Sequence, residues 1–241
     1  MATPHEQILA LTLIPAAATI FGGAIAVWRT PSETVRSVIQ HFAAGVVLEA
    51  VAGELLPEMT REHQPLGVVI GFILGVALML CVKLVAERVE ARDEATSGGK
   101  VGLLAAVAID IFIDGLLIGV GFAAGARVGT LLVIALTLEL LFLGLSVATS
   151  LAQANWGRGR NLLCIASLSG LVVAGASLGS ALLGGLSGVA LEIMLSFGAA
   201  ALMYLVVEEL LTEAHEVQET PLITVAFFAG FVSLYLLELM A

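Results

Sequence analysis

The chain has 241 residues, of which 59% are hydrophobic and only 12% are charged, and its mean hydropathy is +1.07. Soluble domains carry about 25% charged residues, so this composition excludes a soluble globular protein and predicts a polytopic membrane protein. The formal net charge of −10 is less informative than the positions of the acidic residues within the apolar segments.

Eight apolar segments are long enough to cross a bilayer, because about 20 residues are needed to span the hydrocarbon. Their approximate bounds are 7–28, 33–57, 65–88, 100–125, 127–152, 160–184, 187–213 and 220–240. Turn-forming residues separate most neighbours, and the weakest break falls at 184–188. The pattern predicts an all-α bundle of eight transmembrane helices, forming one domain over 1–241, in a multi-pass protein of the cell (inner) membrane.

Basic residues predict the orientation of the spans, because Lys and Arg in short loops stay cytoplasmic. Eight of them lie around the loops after spans one, three and five: Arg29, Arg36, Lys83, Arg88, Arg92, Lys100, Arg158 and Arg160. The loops after spans two and four hold only Arg61 and Arg127. Both termini are therefore predicted to be extracytoplasmic. The acidic loop between spans seven and eight is then cytoplasmic.

Carboxylates inside the spans are the most informative residues of the chain. They are Glu49 in span two, Asp110 and Asp114 in span four, Glu139 in span five, and Glu208 and Glu209 toward the inner end of span seven. No Lys or Arg lies in the middle of any span, so salt bridges cannot satisfy them all. A carboxylate in hydrocarbon is costly unless it faces protein or water, and it usually marks an ion pathway.

The fourth span carries two of these acids on one face. Asp110 and Asp114 are four residues apart, one helical turn, so they repel each other unless a cation or a proton lies between them. The same span has Gly115 and Gly119, and span six has Gly175 and Gly179. Small residues at this spacing let helix backbones approach closely, which predicts a dense bundle around the aspartates.

Each acid also has a simpler interpretation. A single intramembrane carboxylate can be a neutral, hydrogen-bonded group. Glu192 is interpreted as structural, and the acids near span ends, Glu54, Glu58, Glu213 and Glu238, are interpreted as exposed at the membrane interface. His41 and His215 are interpreted as surface histidines, with metal capture as the alternative.

Two stretches resemble the ZIP (Zrt/Irt-like) family of metal-ion transporters. The sequence HFAAG at 41–45, running on to ELLPE at 54–58, is similar to the family's second helix. The sequence EELLTEAHE at 208–216 resembles the seventh helix and the following loop, with Thr212 where the family usually has Pro. Eight spans, extracytoplasmic termini and a basic loop after span three also match the family.

The departures from the family pattern fall where its ions bind. The fourth-helix motif is His-Asn-x-x-(Asp or Glu)-Gly, and here Asp110 replaces His, Ile111 replaces Asn, and Asp114 and Gly115 match. The fifth-helix motif keeps its first position as Glu139 and its last as Gly144, with Leu140, Phe142 and Leu143 replacing the rest. Val173 and Ala174 stand where related sequences often have Glu-Pro.

The resemblance therefore implies that one of the family's two adjacent metal sites is lost. The other is expected to survive as Asp110, Asp114, Glu139 and one of Glu208 or Glu209, with Glu49 as a possible extra ligand that the family pattern does not supply. An all-oxygen site suits harder ions than zinc, such as Mn or Fe. Because ligands must lose their protons to bind metal, arrival of the ion is expected to release protons.

The functional expectation is transport of a divalent cation, with Zn, Mn, Fe and Cd as candidate substrates and no prosthetic group. The resemblance further implies a homodimer in the lipid bilayer, no nucleic-acid partner, and an elevator-type mechanism in which spans one, four, five and six move against the others. Glu213, His215 and Glu216 are a possible exit site at the cytoplasmic mouth.

Two alternatives stay open at this stage. The sequence GLSG at 185–188 fits the pattern of an intramembrane serine protease, which would need a nearby histidine base. The predicted orientation argues against it, because Ser187 is expected at the outer surface and His215 at the inner one. The other alternative is a metal-binding sensor or structural relative that does not transport, since several family ligands are missing.

Overall fold

A computed structural model describes residues 4–95, 100–183, 185–215 and 220–240 of the chain. These ranges contain eight helices that are long and apolar enough to cross a membrane, and no strand among the described residues. The predicted all-α, eight-span architecture is confirmed.

The helices follow one another with short connections. Six of them are continuous: α1 (Pro4–Trp28), α3 (Pro65–Ala95), α4 (Val101–Ala124), α5 (Ala126–Gln153), α6 (Arg158–Leu183) and α8 (Pro221–Met240). Helix α2 runs over 33–62 as Glu33–Glu49, Ala50–Leu55 and Leu56–Glu62. Helix α7 runs over 189–214 as Val189–Tyr204, Leu205–Leu210 and Leu211–Ala214. Helices α2 and α3 end later than the apolar segments because backbone hydrogen bonding continues into their polar ends.

The middle segments of α2 and α7 are π-helical, a feature that the sequence analysis did not predict. In α2 the π-helical segment ends just before Pro57, which has no N–H to donate, so an α-helical bond is lost there in any case. In α7 the segment contains Val206 and Val207, whose branched side chains are restricted in a helix. π-helical turns are common at functional sites.

Glycines allow pairs of helices to pack with their backbones in close contact. A Cβ atom on Gly22 of α1 would overlap the carbonyl of Leu141 in α5, and one on Gly115 of α4 would overlap that of Val172 in α6. On the other side of the bundle, Gly45 of α2 approaches α8 and Gly71 of α3 approaches α7 in the same way. Gly119 and Gly179 also meet, so the predicted tight packing between spans four and six is confirmed.

The packing therefore divides the bundle into two units. Helices α1, α4, α5 and α6 pack on one another and form the first unit, and α2, α3, α7 and α8 form the second. Between the units the closest approach of a glycine is to a side chain: a Cβ on Gly198 of α7 would lie 2.9 Å from the Leu117 methyl group of α4. In the described residues, the close backbone contacts that glycines make thus lie within the units, and at Gly198 the contact between the units is made by a side chain.

Candidate metal centre

Three carboxylates meet in the interior of the bundle. Asp110 and Asp114 of α4 and Glu139 of α5 each present one oxygen, and these oxygens lie within 4.8 Å of one another. Their exposed fractions are 8%, 1% and 2%. Asp114 Oδ2 and Glu139 Oε2 have no hydrogen-bond partner among the described residues. We call these residues the acidic trio.

The helices place the trio by simple periodicity. The two aspartates are one turn apart on α4, and Gly115, next to Asp114, presses α4 against α6. The single residue Gly125 connects α4 to α5, so the two helices form an antiparallel pair that brings Glu139 back to the level of the aspartates. The site is therefore built by one helical hairpin.

A fourth carboxylate faces the trio from the second unit. A narrow cavity of about 30 Å³, which is room for about one water molecule, is lined by Asp110, Glu139, Leu205 and Glu209 among others. None of the described residues that line it is a Lys, Arg or His. Asp110 and Glu139 are buried here, whereas Glu209 is exposed. Burying like charges without a counter-charge is costly, so this space favours a cation or protons.

The neighbouring glutamate points elsewhere. Glu208 accepts a hydrogen bond from Lys83 Nζ of α3 at 2.8 Å, and both side chains are 44% exposed. Successive residues of a helix point about 100° apart, so only one of this pair can face the trio. Glu209 is the one that lines the narrow cavity.

A wider cavity of about 390 Å³ runs from Asp110 toward the end of the bundle where α3 ends and α4 begins, which we call the α3–α4 end. Its polar lining includes Lys83, Glu87, Ser146, Ser150, Glu208 and Glu209. The serines follow Glu139 along one face of α5, a 3.6-residue period that the sequence analysis could have used and did not. The basic residues predict that this end is cytoplasmic.

Toward the opposite end, where α4 ends and α5 begins, aliphatic side chains close the interior. Ile118 lies one turn beyond Asp114 and is fully buried, as is Leu136, which lies almost one turn from Glu139 in the same direction. The trio is therefore reached by a cavity from the α3–α4 end, and it is separated from the α4–α5 end by hydrocarbon.

Glu49 does not join the trio. It is 1% exposed, and its carboxylate meets that of Glu238 in α8 beside Gly53. Glu54 and Glu238, which the sequence analysis interpreted as exposed at the membrane interface, both contact Arg127. Glu54 is 7% exposed, so its interpretation as an exposed residue is wrong: it is buried in the bundle, where Arg127 of α5 pairs with it. The structure thus brings three of the predicted metal ligands together, adds Glu209 across a cavity, and places Glu49 in a different cluster.

The predicted exit site lies largely outside the described residues, because neither the Glu213 side chain nor Glu216 is described. His215 is described, and its ring packs edge-on against that of His41, with 5.1 Å between the ring centroids. The sequence analysis treated these histidines separately. His41 is 4% exposed, so its interpretation as a surface residue is wrong: α7 covers it, and Ser37 nearby donates to the Ala214 carbonyl.

The protease alternative fails on geometry. Ser187 precedes α7 and His215 follows it, so the length of a helix of roughly 40 Å separates them. No acyl-transfer chemistry can join a serine and a histidine at that distance.

The comparison with known families decides the class of the protein. A family model described as ZIP zinc transporter matches residues 87–238, which is more than half of the chain. The chain belongs to the ZIP family. No curated protein matches it. The matched region includes the whole trio and Glu209, and Glu49 lies outside it. The ZIP family consists of divalent-metal transporters, not enzymes, so the predicted family and the predicted absence of an enzymatic role are confirmed.

Proposed function

We propose that this ZIP protein carries a divalent cation on the acidic trio, with Glu209 as a fourth ligand. The observation that carries the proposal is the meeting of three buried carboxylates within 4.8 Å in a membrane-spanning bundle. Four carboxylate groups provide the oxygen ligands that Mn²⁺ and other hard ions prefer, and they offer no imidazole or thiolate for zinc. We therefore expect Mn²⁺ or Fe²⁺ to be preferred over Zn²⁺, with Cd²⁺ also accepted.

The site holds one ion. Ile111, which replaces the family's asparagine, is fully buried. It packs near Thr19, Gly144 and Ile165, where no space remains for a water molecule. A second ion next to the trio would need polar ligands at this position. Hydrocarbon cannot replace the hydration shell of a divalent cation.

Transport by alternating access is supported by the division of the bundle. The trio belongs to the unit formed by α1, α4, α5 and α6, and Glu209 belongs to the other unit. Within each unit, glycines let the helix backbones pack in close contact, whereas at Gly198 the units meet through a side chain. This difference favours movement of one unit against the other as a rigid body. We propose that the first unit slides along the second, and that a homodimer holds the second unit in place.

Uptake by proteoliposomes tests the proposal. We expect Asp110→Asn and Asp114→Asn each to lower the initial rate of Mn²⁺ uptake by at least about tenfold, because each removes a charged ligand from a buried site. Glu192→Gln is the matched control, since Glu192 is fully buried on α7 and hydrogen-bonded to Ser196 away from the trio. Undiminished uptake by both aspartate variants would remove the trio from the pathway.

A non-transporting relative is the second candidate, and Ile111 and Leu140 at family ligand positions favour it. Such a protein would bind cations at the trio without moving them. Saturation at 100 times Kd would stabilise it by about 2.7 kcal/mol. Metal-dependent thermal stabilisation of the purified chain, with no uptake under any ion gradient, would support this function instead.

A further inference from the structure

A second group of carboxylates, two of them buried and one half-buried, lies at the α4–α5 end of the bundle. Glu49 and Glu54 come from α2, and Glu238 comes from α8. The position that a Cβ atom would take on Gly53 is 2.5 Å from Glu49 Oε1 and 2.7 Å from Glu238 Oε2, so the two carboxylates meet over this glycine. A Cβ atom at this position would have to displace both carboxylates.

Glu49 has no partner for its charge. Its side chain is 1% exposed, and neither of its carboxylate oxygens has a hydrogen-bond donor among the described residues. Among the described residues, the polar group that lies against it is the carboxylate of Glu238. Two buried carboxylates in contact are stabilised by a shared proton or by a ligand that supplies positive charge.

Arg127, in the first turn of α5, supplies part of that charge. Its Nε lies 3.4 Å from Glu54 Oε1, and its Nη2 donates to Glu238 Oε1 at 3.1 Å and to the Glu238 carbonyl at 3.2 Å. Two carboxylates, those of Glu54 and Glu238, thus share one guanidinium, and Glu49 adds a third acid that Arg127 does not contact. The Arg127 side chain is 55% exposed, and ion pairs that water reaches are weak and exchangeable.

A cavity leads from the α4–α5 end to Glu54 and Glu238, and Glu49 lies behind Glu238 without lining it. Its volume is about 370 Å³, and its lining includes Gly53, Glu54, Glu58, Arg61, Arg127 and Glu238. The cavity gives a cation access and leaves room for the water molecules that complete its coordination. This cavity is distinct from the two cavities that reach the trio, because it shares no lining residue with them.

We propose that Glu49, Glu54 and Glu238 form a second binding site for a divalent cation, and that Arg127 occupies the carboxylates of Glu54 and Glu238 when the cation is absent. The cation displaces the guanidinium, because two positive charges and hard oxygen coordination balance three carboxylates better than one exposed arginine does. Arg127 belongs to the first unit, while its partners belong to the second. Binding of the cation at this site therefore also breaks a contact between the units.

Mn²⁺ titration followed by electron paramagnetic resonance of the free ion tests the site on the purified full chain. The background is the triple variant D110N/D114N/E139Q, which removes the trio. We expect it to bind about one Mn²⁺ per chain, and E49Q and E238Q each to weaken that binding by at least about tenfold. R127Q should instead tighten binding by about threefold or more, because it removes the competing charge.

Controls keep the result interpretable. Glu192→Gln in the same background changes an equally buried carboxylate elsewhere, and it should leave binding unaltered. If the triple variant does not fold, the same titration of the otherwise native chain should show two sites that E238Q reduces to one. A folded triple variant that binds no Mn²⁺, binding that ignores both E49Q and E238Q, or weaker binding in R127Q would each overturn the proposal. Because these are equilibrium measurements without the trio, they are independent of whether the chain transports.

Discussion

At the scale of single residues, the chemistry of the site depends on the choice of oxygen over nitrogen. Asp110 stands where the family motif has His, and it is one of three carboxylates that lie within 4.8 Å. The sequence was sufficient to predict this trio because acids without basic partners in hydrophobic segments are rare and have few uses. It could not predict Glu209 over Glu208, since that choice depends on the rotation of α7 at its π-helical segment.

Replacing one oxygen ligand by imidazole should shift ion preference. We expect Asp110→His to raise the ratio of Zn²⁺ to Mn²⁺ uptake by about tenfold, because imidazole suits zinc better than it suits manganese. Competition between the two ions in proteoliposomes measures the ratio. Asp110→Asn, which removes the charge and adds no nitrogen ligand, is the control and should depress uptake of both ions. An unchanged ratio in Asp110→His would show that Asp110 does not touch the ion.

The cluster that Glu49 joins could not be predicted from the sequence. Its depth in the second span correctly indicates a buried acid. Which cluster a buried acid joins depends on tertiary packing, and here Gly45 and Gly53 bring α8 close enough for Glu238 to meet it. No spacing within α2 contains that information.

At the scale of elements, the glycine contacts fix how each pair of helices packs. The motif Gly115-x-x-x-Gly119 was a sound prediction because its partners in α6 are spaced in the same way. The close approaches of Gly22 and Gly45 had no such motif. They depend on the position of a neighbouring helix, which the sequence of one helix does not contain.

Enlarging a packed glycine should loosen the hairpin that carries the trio. We expect Gly115→Val to destabilise the protein by about 1–3 kcal/mol, because its side chain would overlap the α6 backbone at Val172. Thermal unfolding in detergent measures the change. Gly170→Ala is the matched control on α6, since a Cβ atom there meets nothing within 4 Å, and its melting temperature should not fall. Equal stability of both variants would show that α4 and α6 do not depend on this contact.

At the scale of the whole molecule, the wide cavity makes access to the trio different from the two ends of the bundle. It opens at the α3–α4 end, while Ile118 and Leu136 close the other side of the trio. The basic residues predict that the open end faces the cytoplasm. With that orientation, and with the transport function that we propose, the structure would be the state accessible from inside.

Thiol labelling tests both the orientation and the cavity. In a C81S/C164S background, Ser150→Cys should react with a membrane-impermeant maleimide only from the cytoplasmic side, because Ser150 lines the wide cavity. Gly125→Cys, at the connection of α4 and α5, should react only from the outside, and the fully buried Leu136→Cys should not react. Reversed sidedness of the first two positions would overturn the predicted orientation.

The distribution of ligands between the two units has a consequence for release of the ion. The three carboxylates of the trio belong to the hairpin of α4 and α5, and Glu209 belongs to α7. In the transport that we propose, a cation that travels with the hairpin would therefore lose one ligand on the way and find water or a different group in its place. The coordination sphere would differ at the two ends of the path, so the ion would be held tightly where Glu209 completes the shell and released where the shell has one oxygen donor fewer.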